Sequence, residues 1–198
     1  MWKARMGREG GSVAWCWAAA LCVASVPSVP AETLADAPSP KAIEAIQLLD
    51  SKDPYDRQLG FLRLEALREP ATLPVIQQYS SSEDADTRAY SLRAIAAIQG
   101  AEAVPFLLER LKSEKHQRVR RALLLALEAL QEGRPEVLAA LIRALRDRST
   151  EVRMCAVDII SRIHEPSARE ALLSRNRRER RRDVRRVLDL AMKRIAGH

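Results

Sequence analysis

Apolar residues return along this chain at intervals of three and four, and the whole series returns every 31 to 33 residues. After Arg57, Arg88, Arg120 and Arg153 they stand at +4, +7 and +10. The sets are Phe61, Leu64 and Leu67; Leu92, Ile95 and Ile98; Leu124, Leu127 and Leu130; Val157, Ile160 and Ile163. That interval puts each set on one face of an α-helix, as a stripe that calls for burial. Arg185 heads a fifth series that departs at +4, where Asp189 stands, and keeps Met192 and Ile195. A shorter apolar series precedes each long one, at 43–49, 73–79, 104–111, 137–145 and 168–173. Prolines mark their starts at Pro40, Pro70, Pro105, Pro135 and Pro166, where proline suits a first helical turn or the boundary before it. Asp53 ahead of Pro54, Ser82 and Ser149 carry side chains able to cap the long helices.

The pattern predicts a helix–turn–helix unit of about 32 residues, repeated at 40–68, 70–99, 101–132, 134–164 and 166–196. One helix pair cannot bury its own stripe, whereas stacked pairs bury a continuous core. The composition agrees: Ala, Leu, Arg and Glu dominate, with 7 Gly and 4% aromatic residues, so the class is all-α. An acid two places before the arginine, then the apolar ladder, recurs in Asp86-Thr87-Arg88, Glu151-Val152-Arg153 and Asp183-Val184-Arg185. Two copies depart, with Tyr55 before Arg57 and Arg118 before Arg120. This pattern resembles HEAT repeats, in particular the short phycobilin-lyase type, over about residues 40–196. The resemblance implies a right-handed α-solenoid of about five stacked antiparallel helix pairs, a domain of residues 40–198. It also implies that Arg57, Arg88, Arg120, Arg153 and Arg185 are structural repeat positions, bonding an acid or turn carbonyls of a neighbouring repeat. The competing reading of this column is a basic ligand groove.

The first 31 residues follow a different rule. Lys3, Arg5 and Arg8 precede an apolar run over 13–26, and Val29-Pro30-Ala31 forms a cleavage site. That order is a signal peptide's, and the run is shorter than the roughly 20 residues of a spanning helix. The expectation is an exported chain, periplasmic or secreted, cleaved near Ala31, with 32–39 as a short linker. The alternative is a membrane anchor formed by the uncleaved segment. Cleavage removes Cys16, Cys22 and all three tryptophans (Trp2, Trp15, Trp17), leaving Cys155 with no partner for a disulfide.

Charge is unevenly spread. Residues 32–115 carry 10 basic and 14 acidic side chains, whereas 116–198 carry 20 and 11. The surplus concentrates between 175 and 186, with eight arginines and only Glu179 and Asp183 to oppose them. Arg175, Arg177, Arg178, Arg180, Arg181, Arg182 and Arg186 therefore form a candidate patch for an anionic partner, since guanidinium forks suit carboxylate or phosphate. The bland alternative is a solvated cap that keeps the end of the array soluble.

Catalytic motifs do not emerge. His116, His164 and His198 stand apart, with no second histidine or cysteine at metal-ligand spacing, so no metal is expected. Cys155 reads as a small buried residue, with no histidine placed to activate it. No glycine-rich phosphate loop, nucleophile elbow or zinc-binding helix pair is present. Lyases of the resembled type need a pigment pocket, for which the mature chain offers only Tyr55, Phe61, Tyr79, Tyr90 and Phe106, all in its N-terminal half. The function expected is an exported scaffold or adaptor with no catalysis of its own and no cofactor. Its partner is a protein, acidic in character, with an anionic membrane surface as the other candidate. The alternative is a HEAT-like lyase or lyase-chaperone acting on a small ligand. A lesser alternative is a nucleic-acid-binding protein, which export and the scarcity of stacking aromatics disfavour.

Overall fold

The structure is a computed structural model that describes residues 37–196. The expected signal peptide, its cleavage site and most of the 32–39 linker lie outside the described residues. Ten α-helices make up the described chain, with three short 3-10 segments and no strand among them. They are α1 (Pro40–Leu49), α2 (Pro54–Leu67), α3 (Leu73–Gln78), α4 (Ala85–Gln99), α5 (Val104–Ser113), α6 (Gln117–Glu128), α7 (Pro135–Ala144), α8 (Thr150–Ile160), α9 (Pro166–Arg178) and α10 (Arg182–Ala196).

Each odd-numbered helix pairs with the even-numbered one after it, and the pairs stack into an α-solenoid. Neighbouring even-numbered helices pack closely along the whole stack, while neighbouring odd-numbered helices touch far less. The stack therefore curves, with α2, α4, α6, α8 and α10 on its inner side. Helix starts follow local chemistry. Ser39 caps α1 by accepting from the Ala42 amide at 3.2 Å, ahead of Pro40. Asp53 caps α2 by accepting from the Tyr55 amide at 2.9 Å. Asp84, not the expected Ser82, caps α4 through the Thr87 amide at 2.9 Å, and Ser82 serves the cap instead by accepting from the Asp84 amide. Ser149 stands at the start of α8, but its hydroxyl donates to Gln117 of the previous repeat at 2.7 Å.

The apolar ladder becomes the core. Phe61, Leu64, Leu92, Ile95, Leu124, Leu127, Val157 and Ile160 are each at most 1% exposed. The +4 side faces the following repeat: Phe61 meets Tyr79 edge-on, with ring centroids 5.5 Å apart, and Tyr90 at 6.4 Å. The long helices of the middle repeats are covered on both sides, so their +3 and +6 residues are buried as well, including Leu123, Ala126, Ala156 and Ile159. This accounts for Asp189. No described helix packs beyond α10, and the aspartate there is exposed.

Gly60 marks the tightest crossing. A Cβ at this position would lie 2.7 Å from the Ala45 carbonyl oxygen and 2.8 Å from a Leu49 methyl, so only glycine lets α2 lie against α1 so closely.

Candidate functional site

The arginine column does the same thing in every repeat. The carbonyls it reaches lie in the turn before its own helix, six and five residues back. Arg57 donates to the carbonyls of Ser51 at 2.9 Å and Lys52 at 3.0 Å. Arg88 donates to Ser82 at 2.6 Å and Glu83 at 2.8 Å. Arg120 reaches Lys115 at 2.7 Å, Arg153 reaches Asp147 at 2.9 Å, and Arg185 reaches Glu179 at 2.6 Å. The same guanidinium then grips a carboxylate of the next repeat. Arg88 pairs with Glu114 at 3.3 Å, Arg120 with Asp147 at 2.7 Å, and Arg153 with Glu179 at 3.2 Å. Arginine provides enough forked donors for both tasks, which lysine would not.

Those acids carry the electrostatic load. Burial pushes Glu114 and Asp147 up, but backbone amides and the paired arginines outweigh it and hold both below the ordinary carboxylate range. Glu179 is the extreme case, only 3% exposed. Burial pushes its carboxyl up, while the Arg181 amide, Arg175 and Arg153 outweigh that and hold it at about 2. It accepts from the Arg180 amide at 3.0 Å and the Arg181 amide at 2.9 Å, and from the Arg175 guanidinium.

The candidate patch is divided by this arrangement. Arg175, Arg177 and Arg178 end α9, which runs further than the apolar series implied. Arg180 and Arg181 lie in the turn, and Arg182, Arg185 and Arg186 sit on α10. Arg175 is turned inward onto Glu179, and Arg181 lies 3.7 Å from Asp183. Arg177, Arg178, Arg180, Arg182 and Arg186 are exposed.

The inner face holds an open pocket of about 450 Å³ spanning α2, α4 and α6. Its floor is small and apolar, with Ala96, Ala97, Ala126 and Ala129, and Leu125 beside them. Its polar groups are Arg68, in the left-handed conformation at the end of α2 (φ 54°), and the Glu65–Arg93 pair at 3.0 Å. That volume lies within the roughly 300–1,000 Å³ usual for small-molecule sites. The aromatics expected to matter here do not line it: Phe61 packs between Tyr79, edge-on, and Tyr90, stacked. Further along the same face, Asp86–Arg118 at 2.5 Å ties the second repeat to the third, and Arg121–Glu151 at 3.3 Å and Glu128–Arg162 at 2.7 Å tie the third to the fourth. Cys155 is half-buried, and burial pushes its thiol up, so its thiolate is scarce at neutral pH. Among the described residues no cluster of three or more His, Cys, Asp and Glu side chains could hold a metal ion.

Two groups of functional side chains escaped sequence reasoning. The acids Glu114, Asp147 and Glu179 follow their arginines by 26 or 27 residues, a signal present in the spacing. Glu65, Arg68 and Arg93 had no such signal, because charged residues on amphipathic helices ordinarily face solvent.

A sequence model of HEAT repeats matches residues 42–128 and again 123–193. None of the curated proteins matches the chain in sequence. Among solved structures, a chain from the complex of CpcE and CpcF of phycocyanin lyase from Nostoc sp. PCC7120 is similar in fold, with a TM-score of 0.63. The two are 20% identical, and the alignment covers 76% of this chain and 97% of that one. At that identity the likeness shows the fold. It nevertheless overturns the expectation of a scaffold that is no enzyme, because this same architecture occurs in a lyase complex. The physical reason is plain. The missing motifs excluded only chemistries built on those loops, and the scarcity of aromatics did not weigh against a pocket floored with alanine.

Proposed function

The chain belongs to the HEAT-repeat family, and from that premise we propose that it is a HEAT-like lyase or lyase-chaperone. It holds a small ligand on its inner face and works beside a protein partner. The single observation that carries this reading is the pocket across α2, α4 and α6, with its alanine floor and its polar groups gathered at one side. A flat apolar ligand body fits against alanines, which leave room that leucines would fill. Among the described residues the Arg68 guanidinium makes no bond, which leaves it to receive an anionic group of the ligand, and Arg93 can take another if it exchanges Glu65 for it. Glu65, released from Arg93, is then the acid placed to take or return a proton. The likeness to a chain from a two-subunit lyase complex supports the partner.

Export belongs to the same proposal: the chain acts outside the cytoplasm after cleavage near Ala31. N-terminal sequencing of protein from fractionated cells tests this. The proposal expects Glu32 as first residue, and an intact Met1 in the cytosolic fraction contradicts it.

The activity is tested by mixing the protein with a phycobilin and a phycocyanin polypeptide free of pigment. Pigment that stays with the polypeptide under denaturing conditions is then measured over time. The protein is expected to raise the yield, and Arg93→Leu and Glu65→Gln to remove the gain while the helical content stays unchanged. No gain from the unmutated protein contradicts the reading.

A further inference from the structure

On the opposite layer of the solenoid, between α7 and α9, lies a groove of about 280 Å³. Its apolar residues are Ile142, Leu145 and Ala171, and its rim is basic, with Arg143, Arg146 and Arg178. Arg175 also borders the groove, but Glu179 already holds it. The other three arginines are exposed, and among the described residues none of their guanidinium groups makes an ion pair or donates a hydrogen bond. Cations near helix C-termini are favoured by the partial negative charge there. That accounts for Arg143 and Arg178 standing at the ends of α7 and α9, but not for all three converging on one apolar cleft without bonding a carbonyl.

We propose that this groove is a docking site for an acidic segment of a partner polypeptide, one with apolar residues between its carboxylates. Charge complementarity selects the occupant. Planar guanidinium forks pair bidentately with carboxylates, and three unpaired forks call for a ligand bearing several. The apolar floor selects a chain that also carries hydrophobic side chains, as an acidic peptide can. A cleft walled by two helices admits a polypeptide strand better than the plane of a lipid surface. The net positive charge of residues 116–198 (20 basic, 11 acidic) steers such a partner from a distance at low salt. The site lies apart from the inner-face pocket, so it stands or falls independently of the ligand proposed there.

The test is fluorescence anisotropy of a short labelled peptide of repeated Glu-Glu-Leu against the purified protein. Two glutamine trios of equal charge are compared. Arg143→Gln, Arg146→Gln and Arg178→Gln together remove the groove's rim; Arg180→Gln, Arg182→Gln and Arg186→Gln remove neighbouring arginines outside it. The groove trio is expected to weaken binding at least about tenfold, and the outer trio by no more than about twofold, with melting temperatures unchanged. Should the groove trio melt early, the same three positions changed to Lys keep the charge and lose the fork, and binding must still fall several-fold. Equal loss in both trios overturns the proposal, as does undiminished binding by the lysine trio. So does failure of the peptide to bind while vesicles containing phosphatidylserine bind through these arginines.

Discussion

At the scale of single residues, Glu179 concentrates more of the fold's electrostatics than any other side chain described. It is buried, it bridges Arg153 of one repeat to Arg175 of the next, and it accepts two backbone amides. Its folded value of about 2 lies below the ordinary 4.5, so its contribution is fully present above about pH 4.5 and disappears as pH falls through about 2. The gap corresponds to about 3 kcal/mol, because each pH unit is worth about 1.4 kcal/mol. Glu179→Gln removes this charge and leaves two arginines facing a neutral amide. The expected cost is roughly 3–5 kcal/mol at neutral pH, the range for breaking one partner of a buried pair. Thermal melts across pH check it: the difference between unmutated and variant protein should shrink as pH drops from 4.5 towards 2. A constant difference contradicts the linkage. The arginines were legible at this scale because they recur every 31 to 33 residues. Their acids were less so, being Glu in two repeats and Asp in one, in turns where sequence alone does not say which way a side chain points.

Among elements, the long helices were the most legible, since one buried face at helical spacing is what periodicity records. The ends were less so. The Ser82 hydroxyl reads as a cap, but an aspartate two residues later reaches the amides of α4 more directly. The end of α9 runs past its apolar series, because arginine is a good helix former and the last turn needs no apolar face. Two substitutions test the packing. Leu127 of α6 is fully buried between repeats, and Leu127→Ala is expected to cost roughly 2–5 kcal/mol. Arg169→Ala, at an exposed site of α9, is expected to cost under about 0.5 kcal/mol. Equal midpoint shifts in denaturant melts would mean the stripe is misassigned. Gly60→Ala sets two effects against each other. Alanine favours a helix interior by about 1 kcal/mol, but its Cβ would meet the Ala45 carbonyl oxygen at 2.7 Å. The clash is with backbone and cannot be relieved by a rotamer change, so net destabilisation of about 1–3 kcal/mol is expected. A raised melting temperature would show that α1 and α2 separate easily.

The whole molecule is a curved stack whose two layers carry different chemistry. The inner layer has a pocket with an alanine floor and a belt of ion pairs joining repeat to repeat. The outer layer has an arginine-rimmed groove near the C-terminal end. The solenoid itself was legible from five returns of one pattern. The pocket was not, because it is built where three helices pass one another, from alanines that look like ordinary helix formers and a Glu–Arg pair 28 residues apart. For the same reason, reasoning from absent motifs led to a scaffold without catalysis, which the fold's occurrence in a lyase complex corrects. Whether this pocket holds a small ligand is decided by one titration. Ala97 borders the pocket and is only half-buried, so Ala97→Trp places an indole in the cavity without entering the core. Phycobilin absorbance is followed against increasing concentrations of unmutated and Ala97→Trp protein. Saturable binding is expected, weakened at least about tenfold in the variant, with the melting temperature nearly unchanged. Equal binding by both proteins, or none by the unmutated one, would contradict it.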